Sequence, residues 1–331
     1  MSETQPLTDE PVLGFRVTGP RRAELATLKP DSRPLAADEV AGSTVCSLIS
    51  PGTEVAVWAQ ERRQPWTPGY AAVFRVEQRG SAVTDLRPGD LVLTAGKHVA
   101  WQRTPRDNVM PLPDGLEPAR AVFARLAGVT WATLVTTHRR PPDGVLVTGL
   151  GPVGNLGAQV FQAAGYRVTA VEPDGHRREL ARRCGIDNVC AEVPTTATVH
   201  LTLECSGVEQ AVLEACRVTA KGGEVVLVGV PWRRRCDLQS FEILNEVFHR
   251  YIILRSGWEW EVRTPATAFR VGSHLANYAA AMQWLRDGTL NVDGLAEPVS
   301  PRDPQAIYEA LAAGHGAPTR VIDWTLWGDE R

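Results

Sequence analysis

The chain has 331 residues, 44% hydrophobic and 22% charged, a length that suits two domains with buried cores and a composition that excludes disorder, collagen or coiled coil as a description of the whole. Its net charge of −3, from 35 Lys+Arg and 38 Asp+Glu, lacks the basic excess of a nucleic-acid-binding domain. No stretch approaches the ~20 apolar residues of a membrane span.

The first third reads as short strands: Val12–Val17, Val40–Ile49, Val73–Gln78 and Leu91–Thr94. Pro-Gly and Gly-Pro pairs punctuate them, and Asp85–Asp90 forms a turn feeding the last. This part is expected to be all-β. After residue 144 the rhythm changes. Val145–Thr148 is a short apolar run, and Val153, Leu156, Val160 and Ala163 follow at helical spacing. Arg167–Val171 is a second strand. A basic helix with Leu180, Ala181 and Cys184 on its apolar face stops at Gly185. Strands at His200–Cys205, Val225–Val228 and Tyr251–Leu254 alternate with a helix at Val208–Cys216, which implies a parallel sheet covered on both faces. The tail holds a helix from Leu275 to Arg286, a second opened by Asp303 and Pro304, and a strand at Arg320–Trp324.

Met1–Glu10 is polar and acidic, unlike a signal or transit peptide. The six cysteines, Cys46, Cys184, Cys190, Cys205, Cys216 and Cys236, form no C-x-x-C pair, so free thiols in a reducing cytoplasm are expected. Ten tryptophans serve cores, interfaces or a cleft that stacks flat ligands.

Gly149-Leu150-Gly151-Pro152-Val153-Gly154 is a G-x-G-x-x-G with a strand before it and a helix after it. In that context it predicts a dinucleotide fold. Gly149 allows the tight turn, Gly151 lets backbone approach a pyrophosphate, and Gly154 lets helix pack on strand. The helix N-terminus, through Pro152, Val153 and Gly154, faces the phosphates. Glu172 follows the second strand, where a carboxylate accepts the ribose hydroxyls of NAD and repels a 2′-phosphate. NAD is therefore expected over NADP. His176, Arg177 and Arg178 are either a solvated helix face or an attractor for that phosphate. A flavin-binding or nucleotide-free Rossmann domain is the alternative for the whole motif.

The order of Ser50-Pro51-Gly52-Thr53-Glu54, Asp85–Asp90 and Gly149–Gly154 resembles the medium-chain dehydrogenase/reductase superfamily, the alcohol dehydrogenase-like enzymes. The run Ser47–Glu54 resembles branches of sugar or polyol dehydrogenases and bacteriochlorophyllide dehydrogenases. The resemblance implies an α/β fold: a Rossmann doubly wound parallel sheet plus an all-β GroES-like catalytic domain. It divides the chain at 1–123, 124–257 and 258–331, the last a return to the catalytic domain. It also implies a homodimer or homotetramer.

The chain departs from the zinc members of that family. Pro51 stands where they carry a cysteine ligand, Tyr70 where they carry a histidine ligand, and Ala124 near the third ligand. No cysteine lies between 47 and 183 for a structural zinc lobe. No zinc is expected, because a Zn²⁺ site needs three or four N, S or O ligands. A hydrogen-bond donor or cation must then polarise the substrate oxygen. By resemblance Thr53 contacts the substrate alcohol and relays its proton, or merely stabilises its turn. Tyr70 is a donor in the metal's place or a filler of the emptied site. Arg125 stabilises an alkoxide or forms an ion pair. His98 has the intrinsic pKa for acid–base work or is a structural histidine on its strand, and Glu54 orients its neighbours. Around the nicotinamide, Cys205-Ser206-Gly207, Gly229-Val230-Pro231 and Ser256-Gly257 supply backbone at strand ends. Trp232, Trp258 and Trp260 stack a substrate or pack, and Arg233–Arg235 is a solvated loop or an anion site.

The expected function is zinc-independent, NAD(H)-dependent interconversion of a secondary alcohol and a ketone. The substrate would be a small molecule: a polyol, sugar, cyclitol or secondary-metabolite alcohol. An enoyl or quinone reductase of the same superfamily, usually NADPH-dependent, is one alternative. A non-catalytic NAD(H)-binding protein is another.

Overall fold

The computed structural model describes residues 11–29, 31–61, 64–194, 198–264 and 272–327; the acidic Met1–Glu10 segment lies outside them. The chain divides into two compact units, Met1–Arg125 with Ala296–Arg331, and Leu126–Leu295.

The first unit is built on an eight-stranded sheet. Its path runs Ala296–Val299, Thr319–Asp323, Glu39–Leu48, Ala71–Arg75, Leu91–Thr94 and Val109–Pro111. All neighbours on that path are antiparallel except the first pair. Glu39–Leu48 changes partners along its length. Its first half pairs with Trp101–Pro105 and Gln78–Arg79, and its second half with Ala71–Arg75. Gly42 sits at this switch, where an added Cβ would lie 1.7 Å from the carbonyl oxygen of Arg75. Only a residue without a side chain admits the crossing strand so closely. A separate hairpin, Val12–Gly19 with Arg22–Leu28, brings Phe15 and Val17 into a core with Ile49, Trp58, Tyr308 and Trp324.

Helices accompany the strands of this unit: Pro51–Trp58 is a helix where the sequence reads a turn, and Pro304–Ala313 is another. Pro-Gly reads as turn punctuation, but Pro51 occupies the first helical position, where its missing N–H costs nothing. Ser50 is extended before it, and Val57 and Trp58 bury the far end. The Pro304 helix starts as expected, with the Asp303 carboxylate accepting the Ala306 N–H at 2.9 Å.

The second unit has a six-stranded, wholly parallel sheet. Its order is Val189–Cys190, Arg167–Val171, Gly144–Thr148, Val199–Glu204, Thr219–Leu227 and Ile253–Ser256. Numbered within the unit this is 3-2-1-4-5-6, the doubly wound dinucleotide order. The central strands are apolar on both faces because helices cover both. The order of strands reverses between Gly144–Thr148 and Val199–Glu204, so Thr148 and Glu204 end at the switch point, the place at which open parallel sheets take ligands.

The second boundary lies at Leu295, not at Gly257. Helix His274–Arg286 belongs to the second unit because its side chains pack there. Tyr278 lies against Gly128, where a Cβ would be 2.3 Å from its ring, and Trp284 packs on Trp131 at 4.6 Å between centroids. Gln159 then exchanges two hydrogen bonds with the backbone of Asn291, at 2.7 and 2.9 Å. A helix Ser240–Arg250, absent from the sequence reading, lies between the fifth and sixth strands. Among the described residues no helix is long and apolar enough to cross a membrane.

Gly42→Ala is expected to destabilise the protein by about 1–3 kcal/mol through overpacking at the strand switch, measured as a lower denaturation midpoint with unchanged slope.

Candidate active site

In the first unit the candidate residues gather around the start of helix Pro51–Trp58. Ser50 caps it, and Thr53 is half-buried on its first turn. The Glu54 side chain folds back, so that Oε1 accepts the Ser50 N–H at 2.7 Å. Its Oε2 accepts the Tyr308 hydroxyl at 2.9 Å and lies 2.9 Å from His98 Nε2. His98 Nδ1 lies 2.9 Å from Ser47 Oγ, which accepts the Trp324 Nε1–H at 3.0 Å. With Glu54 as acceptor, Nε2 carries the proton and Ser47 donates to Nδ1. All of these side chains are buried. Burial first, then the neighbouring Glu54 carboxylate, pushes the Tyr308 phenol well above its ordinary pKa, so it remains a donor.

His98 is thereby corrected. It is 0% exposed with both ring nitrogens engaged, so it braces Glu54 and offers no open nitrogen to a substrate. Glu54 itself orients its neighbours, as its position suggests.

Tyr70 and Arg125 are brought together. The Arg125 guanidinium carbon stands 3.9 Å from the centroid of the half-buried Tyr70 ring, a cation–π contact, and Arg125 is 1% exposed. Gly69, at φ +136, sets the ring's place. An added Cβ there would be 2.1 Å from Lys97 Cα, so only glycine lets this segment lie against the Lys97–His98 backbone.

In the second unit the predicted cofactor residues follow the ends of the parallel strands, and Gly149–Gly154 meets Cys205–Gly207 at the switch point. Gly149, at φ +81, donates its N–H to Val171 at 2.8 Å and lies against Ser206. Gly154 packs so that a Cβ would be 1.9 Å from the Gly149 carbonyl. Gly151 has nothing within 4 Å of its Cβ position, leaving a cradle that a side chain would fill. It is also the N-cap of helix Pro152–Ala163, whose first turn no side chain caps. A twelve-residue helix opening onto a bare glycine suits a pyrophosphate. The residues present therefore fit a dinucleotide.

Glu172 is buried, with Oε2 accepting the Leu150 N–H at 2.9 Å and Oε1 accepting the Asp174 N–H at 3.0 Å. Each oxygen keeps a lone pair for a further donor. Arg177 Nη1 stands 3.8 Å from Glu172, and Arg178 donates to the Glu172 and Pro173 carbonyls. Gly229 and Gly207 fit against each other's loops, with Val230 beyond, and Gly257 donates to the Leu227 carbonyl at 2.8 Å. Ser256, Trp258 and Trp260 are exposed, and Trp260 rests on the His274 ring at 5.1 Å. Arg233–Arg235 is an exposed loop in which Arg234 pairs with Asp237.

The residues do not fit a catalytic zinc. Proline and alanine at 51 and 124 offer no donor atom, and among the described residues no three His, Cys, Asp or Glu side chains stand together to hold a metal ion. Sequence reasoning missed Ser47, Tyr308 and Trp324, which carry no local signal. It also missed Glu204, whose signal was an acid inside an apolar run.

A family model described as zinc-binding dehydrogenase matches residues 152–259, which lie within the second unit. An alcohol dehydrogenase of Geobacillus stearothermophilus is 26% identical over 215 residues, 53% of this chain and 64% of that enzyme, so the match covers less than two-thirds of its length. Acetophenone reductase from Geotrichum candidum in complex with NAD has the same fold (TM-score 0.78, 16% identity, 96% of this chain and 98% of that one). So does a structure from Sinorhizobium meliloti 1021 bound to NADP (TM-score 0.75, 18% identity, 95% and 99%).

The two glycines separate folding from binding. Gly154→Ala is expected to lower the melting temperature sharply, while Gly151→Ala leaves it unchanged in the ligand-free protein; thermal unfolding of both variants checks this.

Proposed function

Because the chain belongs to the medium-chain dehydrogenase/reductase superfamily, we propose that it interconverts a secondary alcohol and a ketone by hydride transfer with a nicotinamide cofactor and without zinc. The observation that carries the zinc-free part is the Arg125–Tyr70 pair, an organic donor where zinc members carry a histidine ligand and a cation beside the place of their third ligand. The nicotinamide supplies or accepts the hydride when bound.

The residues of the chain supply the rest. Gly149–Gly154 binds the pyrophosphate, and the Glu172 carboxylate accepts ribose hydroxyls. A carboxylate there repels a 2′-phosphate, which supports NAD over NADP. The Tyr70 phenol donates to the substrate oxygen. The guanidinium over its ring stabilises negative charge on that oxygen in the transition state. Thr53, on the turn braced by Glu54, passes the alcohol proton outward. Small alcohols of the polyol, sugar, cyclitol or secondary-metabolite kind fit these polar groups. Six unbridged thiols support a cytoplasmic location.

The partner of the second unit is a second copy of this chain. Nine of the eleven large apolar side chains exposed among the described residues fall between Val230 and Trp260. Helix Ser240–Arg250 turns Ile243 and Val247 onto its own core, yet Phe241, Leu244 and Phe248 (77% exposed) face out. Beside it, Ile253–Ser256 is the sheet's edge strand, paired on one side only. An edge strand meeting its own copy about a two-fold axis continues the sheet and covers the apolar helix face.

The purified protein is expected to oxidise secondary alcohols with NAD⁺ and reduce ketones with NADH, unaffected by chelators. Tyr70→Phe and Arg125→Met should each lower kcat/KM by about 10²–10³-fold with the NADH dissociation constant unchanged. Stoichiometric zinc together with loss of turnover on chelation would sink the zinc-free reading. On a sizing column with light scattering the protein should run as a dimer or larger, and Phe248→Glu should shift it to monomer. An unsubstituted monomer would refute the interface.

A further inference from the structure

Glu204 is a buried carboxylate that the proposed chemistry does not use. It is 0% exposed and ends the strand Val199–Glu204, at the switch point of the parallel sheet. Oε1 accepts the Ser206 N–H at 2.8 Å and also the Ser206 hydroxyl. Oε2 accepts the Gly207 N–H at 3.0 Å. Thr148 Oγ1, at the end of the first strand, lies 3.4 Å from Oε1. The Glu204 backbone carbonyl accepts the N–H groups of Val228 and Gly229, at 2.9 and 2.7 Å. One residue thus joins the ends of strands one, four and five.

The turn it holds has little slack. Gly149 lies so near that an added Cβ would be 2.9 Å from the Ser206 nitrogen. A Cβ on Gly229 would be 2.4 Å from the Gly207 nitrogen, and Gly207 adopts φ +64. Burial raises the Glu204 pKa while its hydrogen-bond donors pull it down. A carboxylate kept from water is tolerated only where such donors surround it.

We propose that Glu204 is a positioning residue for the dinucleotide: its carboxylate holds the Cys205–Gly207 turn in the shape that faces the cofactor. This rests on the reading of the second unit as the dinucleotide-binding unit. Glutamine at this position keeps the volume but presents an NH₂ group to one of the backbone N–H donors. The turn must then open to relieve two donors that face each other.

Glu204→Gln tests this through two measurements that need no turnover. NADH is the probe because its reduced ring is uncharged, so the titration reads loop geometry rather than attraction to the carboxylate. In the ligand-free variant the Ser206 and Gly207 amides should exchange about tenfold faster, and the NADH dissociation constant should rise about tenfold. Amides of Arg167–Val171 should keep their protection. A lower melting temperature with unchanged NADH affinity, or unchanged exchange at Ser206 and Gly207, overturns the assignment. If Glu204→Gln does not fold, Glu204→Asp takes its place, with the charge kept but the reach shortened; the same two changes are expected, and unchanged affinity again overturns it. Failure of the unsubstituted protein to bind NADH would remove the functional reading and this inference with it. Normal binding by that protein and an equally tight Glu204→Gln variant would remove the inference alone.

Discussion

Glu54 depends on its wrapping. Removing a carboxylate from water costs several kcal/mol even after the protein relaxes, and the cost is offset only where donors replace the lost hydration. Here the donors come from four parts of the first unit: the Ser50 N–H, His98 on the loop before Trp101–Pro105, Tyr308 on a late helix, and through His98 the Ser47–Trp324 pair. If one is lost, the charge is left short of partners in a core of Phe15, Ile49 and Trp58. The arrangement fixes helix Pro51–Trp58 against both early strands and late chain. It therefore fixes where Thr53 stands.

The second unit obeys the same constraint in a different medium. There the chain bends sharply at Gly149, Gly207 and Gly229, and each bend is possible only because a side chain is missing. Missing side chains leave backbone amides close together, and close amides need an acceptor. Glu204 and Glu172 are the acceptors, each buried, each receiving N–H groups from the loops that follow the strands. Glycine gives the loops their shape, and carboxylate makes that shape stable.

Periodicity carried much of the fold. Leu91–Thr94 and Arg167–Val171 coincide with the strands observed, and the helix after Gly151 is placed within one residue. Helix Ser240–Arg250 carries one broad apolar stripe at the 3.6-residue period and was legible in principle; Ile243 and Val247 serve the core, while Phe241, Leu244 and Phe248 on the same stripe lie exposed. The other losses have physical causes. Pro51-Gly52 reads as a turn until the apolar residues downstream are seen to be buried. The glycine motif was legible because each position has a local reason. The Glu54–Tyr308 contact spans 254 positions, and no local pattern encodes it. The choice between a catalytic and a structural His98 stayed open in the sequence for the same reason: an imidazole's intrinsic pKa is visible there, but its two partners are not.

An organic replacement for a Lewis acid has to meet two demands that a metal meets together. It must present a donor to the substrate oxygen, and it must carry positive charge that does not need to be gathered when the oxygen becomes negative. A phenol alone satisfies the first and fails the second, because its proton is held tightly at neutral pH. A guanidinium alone supplies charge but remains protonated and passes on no proton. Stacked at 3.9 Å, Arg125 and Tyr70 would divide the work in the proposed reaction. In the proposed reaction the cation would lower the energy of the developing alkoxide, while the phenol would donate a hydrogen bond to it. Burial at 1% exposure makes that charge effective, since screening by water would otherwise cut it to a small fraction. Under the proposed reading the pair would do what a metal does at an alcohol oxygen, with groups that a chelator cannot remove.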